Sequence, residues 1–180
     1  MIELEYFKID NTVADPIRKT AGSACFDLPI SLRKGFKLKT FYGRKAKIEE
    51  IITEISDNDI ENGITLLPER TYLIPTGIVF DIPEGYHIQI HIRSSTGVKK
   101  HLGSSCIVGI IDSDYVEEVH VPLHVITEAW VHVKNGDYLA QAMLVKNIEE
   151  NLKAVDKKPS VKTSRVGGFG STDLKQSTPV

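Results

Sequence analysis

Hydrophobic and polar residues alternate with a period of two through the middle of the chain. Along residues 86–93, aromatic and aliphatic side chains occupy every second position, and polar side chains occupy the positions between them. Residues 119–125 repeat this pattern with valine and leucine. Because successive side chains of a β-strand point to opposite faces, each run predicts a half-buried strand. Further strand-like runs cover 72–80, 130–134 and 138–145, with turn signals at 83–85, 97 and 135–137. Short strands at this spacing predict an all-β sandwich or barrel.

One segment has a helical period instead. Residues 45–56 place Ile48, Ile51, Ile52 and Ile55 at helical spacing, with charged residues elsewhere on the wheel. The pattern predicts a short amphipathic helix that ends near residues 57–58. We expect this helix to pack over one end of the β core, and a partner-docking helix is the alternative.

Composition and charge narrow the class of protein. The chain has 180 residues, 22 Lys plus Arg, 24 Asp plus Glu and a net charge of −2. Without a basic stripe, binding to duplex nucleic acid is not expected. The two cysteines have no disulfide or zinc spacing, which is typical of a reducing compartment. The sequence shows neither a signal peptide nor an apolar run of the roughly 18 residues that a membrane span needs, so we expect a cytoplasmic protein.

The end of the chain carries a glycine-rich motif in a polar setting. Residues 149–164 are lysine-rich and polar, so we predict a β domain over 1–150 and a flexible arm over 151–180. In that arm, Gly170 and two nearby glycines allow the backbone to approach a ligand closely. Arg165 and Ser171 offer donors for phosphate, and Phe169 offers a flat face for a base. A tail without a binding role is the alternative.

Four other short stretches precede this motif, at 22–28, 93–97, 109–115 and 136–141. Together the five resemble, in order, the five motifs of the trimeric dUTPases (dUTP diphosphatases). Arg93 and Asp112 lie nineteen residues apart, as in that family. The resemblance runs from about residue 19 to residue 172, except for an apparent insertion at 36–64 that contains the predicted helix.

The resemblance implies a distorted jelly-roll subunit in a threefold homotrimer, with active sites at subunit interfaces. The C-terminal motif would reach each site from a neighbouring chain. The reaction would be hydrolysis of dUTP to dUMP and pyrophosphate, with Mg²⁺ held mainly by the triphosphate. The insertion and the departures from the family pattern suit a phage-encoded enzyme.

The residue chemistry agrees with this function. An enzyme that holds a triphosphate needs fixed cations and donors, and Arg93, Ser94, Ser95 and Arg165 can supply them. Asp112 is ionised at neutral pH and can orient a water molecule. By resemblance, this carboxylate activates the water that attacks the α-phosphorus. A turn capped by the Asp112 side chain is the alternative use of that residue.

The resemblance also assigns the remaining site residues. Tyr115 packs on the deoxyribose and excludes a 2′-OH, and Gln141 lies near the phosphates and the attacking water. Asp27 supports the metal through water. In the tail, Phe169 closes over the base, and Gly170 and Ser171 belong to the substrate-binding residues.

Cys106 departs from the family pattern, because many members have an asparagine there that reads the uracil edge. A thiol is a poor substitute for an amide. Recognition of the base would then depend on Gly109, Ile110 and Ile111 and on His120 in the adjoining hairpin. A diphosphatase for another nucleotide, such as a modified dUTP, is therefore an alternative.

Other functions are less well supported. A dCTP deaminase, a relative in fold, has its catalytic glutamate ten residues after the position of Asp112, where this chain has Pro122. His120 and His124 would lie about 13 Å apart on one strand, too far to bind one metal ion. A nucleotide-gated regulator that docks a protein partner through the insertion is the alternative from a different class.

Overall fold

The computed structural model describes residues 2–44 and 47–163. Within these residues the chain is mostly β-structure, with two short helices. The strands are β1 Glu5–Lys8, β2 Phe26–Pro29, β3 Lys37–Arg44, β4 Lys47–Glu54, β5 Ile64–Leu66, β6 Arg70–Pro75, β7 Ile78–Asp81, β8 Tyr86–Ile92, β9 Leu102–Ser104, β10 Gly109–Ile111, β11 His120–Val125, β12 Val131–Val133 and β13 Tyr138–Lys146. The helices are α1 Asp57–Asn62 and α2 Ser94–Lys100.

Two antiparallel sheets form the body of the molecule. A four-stranded sheet has the order β10-β8-β13-β2, and a five-stranded sheet has the order β4-β3-β6-β11-β9. Two small pairs, β1-β7 and β12-β5, complete the fold. Buried side chains from both larger sheets belong to one hydrophobic cluster, so the core lies between them.

The alternating runs form strands, as predicted. In β8, Ile88 and Ile90 are buried, whereas the polar residues between them are only partly covered. In β11, Val121 and Leu123 are buried in the same alternating way. The run 72–80 divides into β6 and β7 at Gly77, where φ is +71° and a Cβ would collide with Val13.

The predicted helix over 45–56 is wrong. Residues 47–54 form strand β4, which pairs with β3 along its whole length. The isoleucine spacing satisfies both periods, because Ile51 and Ile55 lie on one face of an extended chain and Ile48 and Ile52 lie on the other. Pairing with β3 favours the strand over the helix. In the strand, Ile48 is 79% exposed and Ile52 is 57% exposed.

The helix of the insertion begins where the predicted one was expected to end. Ser56 caps the N-terminus of α1, and Asp59 completes a capping box with the Ser56 backbone. The insertion therefore consists of a β-hairpin followed by one short helix.

The chain divides into two units, Met1–Ile148 and Glu149–Val180. In the part of the second unit that is described, residues 149–163, there is no helix or strand. None of the helices in the described ranges is long and apolar enough to cross a membrane.

Candidate active site

Arg93 is held at the end of β8 by two contacts. Its Nε lies 3.1 Å from Oδ1 of Asp27, and its Nη1 donates a 2.6 Å hydrogen bond to the carbonyl oxygen of Tyr138. The Asp27 side chain is 10% exposed and the Arg93 side chain 28% exposed. Since both contacts are made inside the same chain, the guanidinium is oriented before any ligand binds.

The strand register brings the other predicted phosphate ligands to Arg93. Gln141 in β13 lies opposite Asp27 in β2 and opposite His91 in β8. Its Nε2 donates to the carbonyl oxygen of Ile92 at 3.3 Å. Residues 94 and 95 follow Arg93 directly, in the first turn of α2. We call this group the Arg93 cluster; it consists of Asp27, Arg93, Ser94, Ser95 and Gln141.

Asp27 is not placed as a direct metal ligand. One carboxylate oxygen contacts Arg93, and the other, Oδ2, is buried without a hydrogen-bond partner among the residues that the structure describes. In the described ranges no three His, Cys, Asp or Glu side chains come together as a metal site. A Mg²⁺ ion here would need most of its ligands from a bound phosphate chain and water, as Mg²⁺ sites often do.

The predicted base-binding residues meet in a cavity of about 280 Å³. This cavity, the hairpin pocket, lies between edge strand β10 of the four-stranded sheet and strands β6 and β11 of the five-stranded sheet. The four predicted residues Gly109, Ile110, Ile111 and His120 line it, and so does Cys106, which stands where many family members have the base-reading asparagine. Its other lining residues are Leu73, Ile90, Ser104, Val108 and Pro122.

Asp112 follows β10 directly and is exposed. Its backbone oxygen accepts a hydrogen bond from the N–H of Tyr115 at 3.1 Å, which closes the turn. Its carboxylate makes no hydrogen bond or ion pair with any residue in the described ranges. The backbone therefore forms the turn, and the side chain is left available for a water molecule.

Glu118 holds Tyr115 and His120 in place. Its carbonyl oxygen accepts a hydrogen bond from the Tyr115 hydroxyl at 3.0 Å and another from Nδ1 of His120 at 2.8 Å. Burial raises the pKa of Tyr115, and the charges of Glu117 and Glu118 raise it further. The phenol therefore stays protonated and remains a donor.

The side chain of Glu118 is anchored in turn. Oε2 accepts a 2.6 Å hydrogen bond from Arg33, and Oε1 accepts one of 2.6 Å from the N–H of Gly77. The side chains of Arg33 and Glu118 are 15% and 10% exposed. Sequence analysis missed this pair, because 85 positions separate the two residues and neither belongs to a motif.

The two parts of the site lie at opposite ends of β8 within one chain. Ile111 of β10 pairs with Ile88 near the start of β8, so Asp112 lies near that end. Arg93 follows the other end. At about 3.3 Å per residue, Asp112 and Arg93 are about 20 Å apart. One chain does not bring them together. Four predicted site residues, Arg165, Phe169, Gly170 and Ser171, lie outside the described residues.

Comparison with known proteins agrees with the resemblance in the motifs. The family model described as dUTPase matches residues 59–173. The deoxyuridine 5′-triphosphate nucleotidohydrolase of Finegoldia magna is 41% identical over 113 residues, which cover 62% of this chain and 78% of that protein. The corresponding enzyme of Brucella melitensis biotype 2 is 37% identical over 110 residues, which cover 61% of this chain and 69% of that protein.

The fold is likewise that of dUTPases. A mutant dUTPase of Staphylococcus bacteriophage 80alpha, solved with dUpNHpp, aligns with a TM-score of 0.69 at 18% identity, and the alignment covers 96% of this chain and 99% of that one. The family model spans more than half of the chain and includes Arg93, Asp112, Tyr115 and Gln141. The chain therefore belongs to the dUTPase family.

Proposed function

We propose that this dUTP nucleotidohydrolase of the dUTPase family builds each active site from two protomers of a homotrimer. One protomer would supply the Arg93 cluster, and a second would supply Asp112 and the hairpin pocket. The separation of Arg93 and Asp112 at opposite ends of β8 carries this proposal. A single triphosphate cannot contact both residues of one chain and still place its α-phosphorus beside Asp112.

The Arg93 cluster binds the phosphates. Arg93 already uses Nε and Nη1 for Asp27 and Tyr138, so Nη2 is left to donate to a phosphate oxygen. The hydroxyls of Ser94 and Ser95 and the amide of Gln141 add uncharged polar groups. When bound, Mg²⁺ would neutralise part of the phosphate charge, with Asp27 reached through water. Arg165 of the C-terminal arm would add a second guanidinium.

Asp112 positions the attacking water. Its exposed, unengaged carboxylate accepts a hydrogen bond from the water and takes up its proton. The water oxygen forms a bond to the α-phosphorus while the bond from that phosphorus to the α–β bridging oxygen breaks. The products are dUMP and pyrophosphate, and the bridging oxygen leaves with the pyrophosphate.

Tyr115 and the hairpin pocket select the nucleoside. The Tyr115 hydroxyl is held by Glu118, so its ring has a fixed position against the sugar and clashes with a 2′-OH. Cys106, His120 and strand β10 surround the base. Phe169 of the C-terminal arm would close over the base, and Gly170 and Ser171 would also contact the substrate.

Subunit mixing tests the shared site. The variants Arg93→Ala and Asp112→Asn are each expected to be inactive as homotrimers. Refolding them together should restore about a quarter of the wild-type activity, since a site is intact only when each neighbour contributes its unmutated half. As a control, Arg93→Ala mixed with Asp27→Asn places both changes in the same half, so the mixture should show no more than the mean activity of the two homotrimers. Failure of the first mixture to recover activity would contradict the proposal.

Two alternative functions can be distinguished from dUTP hydrolysis by experiment. A deaminase has little support, because Pro122 lines the hairpin pocket and its side chain cannot transfer a proton. Assays with dUTP and dCTP, scored for pyrophosphate and for ammonia, distinguish the two reactions.

A docking role for the insertion is favoured by the exposed Ile48 and Ile52 of β4. If they bind a protein partner, replacing both with lysine should abolish the complex without changing dUTP hydrolysis.

A further inference from the structure

We propose that the base site continues into a second cavity built by the insertion, and that the enzyme accepts deoxyuridine triphosphates with a substituent at C5. The inference rests on the proposed function, because it requires the base to bind in the hairpin pocket. It specifies which modified deoxyuridine triphosphates would be substrates, an alternative that the departure at Cys106 left open.

The second cavity adjoins the hairpin pocket. It has a volume of about 340 Å³ and is lined by Phe36, Lys37, Lys39, Leu73 and His120. Leu73 and His120 also line the hairpin pocket. The other three residues lie at the start of the insertion, in β3 or just before it. We call this space the insertion cavity.

The orientation of a bound pyrimidine follows from the two walls of the hairpin pocket. One wall is β10, an edge strand whose outer backbone groups are not paired within the described sheet. These N–H and C=O groups suit the polar edge of the base, which carries N3 and O4. The C5–C6 edge then faces the opposite wall, formed by Leu73, His120 and Pro122 of the five-stranded sheet. The insertion cavity adjoins this wall, because Leu73 and His120 line both cavities.

The wall between the two cavities is held in one conformation. The ring of His120 stacks on Phe36, with centroids 5.9 Å apart and planes 28° apart, and its Nδ1 donates to the Glu118 backbone. The Arg33 guanidinium covers Phe36, 5.1 Å from the ring centroid. With its ring held in this way, His120 lines the insertion cavity together with Leu73 and does not fill it.

The lining indicates which substituents fit. Phe36 and Leu73 are apolar, so they suit a short carbon link from C5. Lys37 and Lys39 place ammonium groups at the rim, which favours a hydrogen-bond acceptor or a carboxylate at the outer end of the substituent. Lys39 contacts Glu50 at 3.5 Å, but both side chains are about half exposed, so this pair is weak and can exchange partners.

Kinetics with four substrates test the inference. We would measure kcat/KM by pyrophosphate release for dUTP, 5-hydroxymethyl-dUTP, 5-carboxymethyl-dUTP and 5-aminoallyl-dUTP. The hydroxymethyl and carboxymethyl compounds should fall within about tenfold of dUTP, and the cationic aminoallyl compound should be about tenfold poorer than the carboxymethyl compound.

Charge reversal supplies the matched variants. In Lys37→Glu/Lys39→Glu, the ratio of kcat/KM for the carboxymethyl compound to that for the aminoallyl compound should fall about tenfold. Lys34→Glu is the control, because this exposed lysine pairs with Asp57 and does not line the cavity. It should leave the ratio unchanged. All three lysines are exposed, so the variants should keep the fold.

The outcomes separate this inference from the proposed function. Absence of pyrophosphate release from dUTP itself would overturn the proposed function. Normal hydrolysis of dUTP, with every C5-substituted compound more than about a hundredfold poorer, would overturn only the inference. A ratio that does not respond to charge reversal would also overturn it, since the substituent would then lie elsewhere.

Discussion

The Arg93 cluster and the Asp112 turn differ in how their functional side chains are held. Arg93 has a buried carboxylate partner and a backbone acceptor in its own chain. Asp112 has an exposed carboxylate with no partner in the described ranges, although the backbone around it is fixed by a turn. The Arg93 guanidinium is thus oriented in advance, whereas the Asp112 carboxylate stays free to receive the water that we propose it positions.

The same difference predicts which substitutions lower the stability of the folded protein. Removing one member of a buried ion pair leaves the other charge uncompensated, whereas removing an exposed, unpaired carboxylate leaves nothing behind. We therefore expect mutations in the Arg93 cluster to affect both stability and activity. Mutations at Asp112 should affect activity alone.

The largest effect is expected from Asp112→Asn. The amide keeps the shape of the side chain but cannot accept the proton, so kcat should fall about a thousandfold. The thermal midpoint and the affinity for a non-hydrolysable dUTP analogue should stay near the wild-type values, which calorimetry would check. A kcat close to that of the wild type would show that Asp112 does not take up the proton of the attacking water.

Arg93→Ala should lower both kcat/KM and stability. We expect a loss of about a hundredfold in kcat/KM, and unfolding should become easier by about 3 kcal/mol because Asp27 loses its partner. Adding Asp27→Asn to this variant replaces the unpaired, buried carboxylate with an uncharged amide. The double variant should therefore recover stability in denaturant unfolding without recovering activity. If the second change lowers stability further, Asp27 and Arg93 do not act as a pair.

A smaller effect is expected at Glu118, which positions Tyr115 and His120. In Glu118→Gln the charge pairing with Arg33 is lost, so the segment that carries Tyr115 should loosen. The preference for dUTP over UTP should fall about tenfold while kcat for dUTP changes less. Lys34→Ala breaks an exposed ion pair with Asp57 and is the matched control. An unchanged preference in Glu118→Gln would contradict the positioning role.

The smallest effect is expected in helix α1 of the insertion, at acidic pH. Hydrogen bonds from Ser56 lower the pKa of Asp59. A lowered pKa stabilises the folded state above the ordinary pKa of about 4, and this stabilisation is lost as the pH falls through the folded value. The protection of the α1 amides against hydrogen exchange, relative to an unfolded chain at the same pH, should therefore fall below about pH 4. In Asp59→Asn this protection should be low at neutral pH as well. Protection of α1 that does not change with pH would argue against the capping box.

Sequence patterns predicted the strands well and the insertion poorly. The alternation in β8 and β11 is local, and burial of Ile88 and Val121 confirms it. In β4 the isoleucines suit a helix and a strand equally, so the pairing with β3 decided the outcome. The residues that the motifs assign to base binding line one cavity, the hairpin pocket. No motif indicated Glu118 and Arg33. Their contact joins distant segments, and no local spacing marks it.

By itself, the sequence determined the period-two strands, the chemical types available for phosphate, water and base, and the family to which the chain belongs. Only the tertiary structure decided that Arg93 and Asp112 lie at opposite ends of one strand, and that the insertion adds a cavity beside the hairpin pocket. The reason is physical. Periodicity and side-chain chemistry are properties of a few neighbouring residues, whereas strand register and buried ion pairs depend on segments that meet only when the whole chain folds.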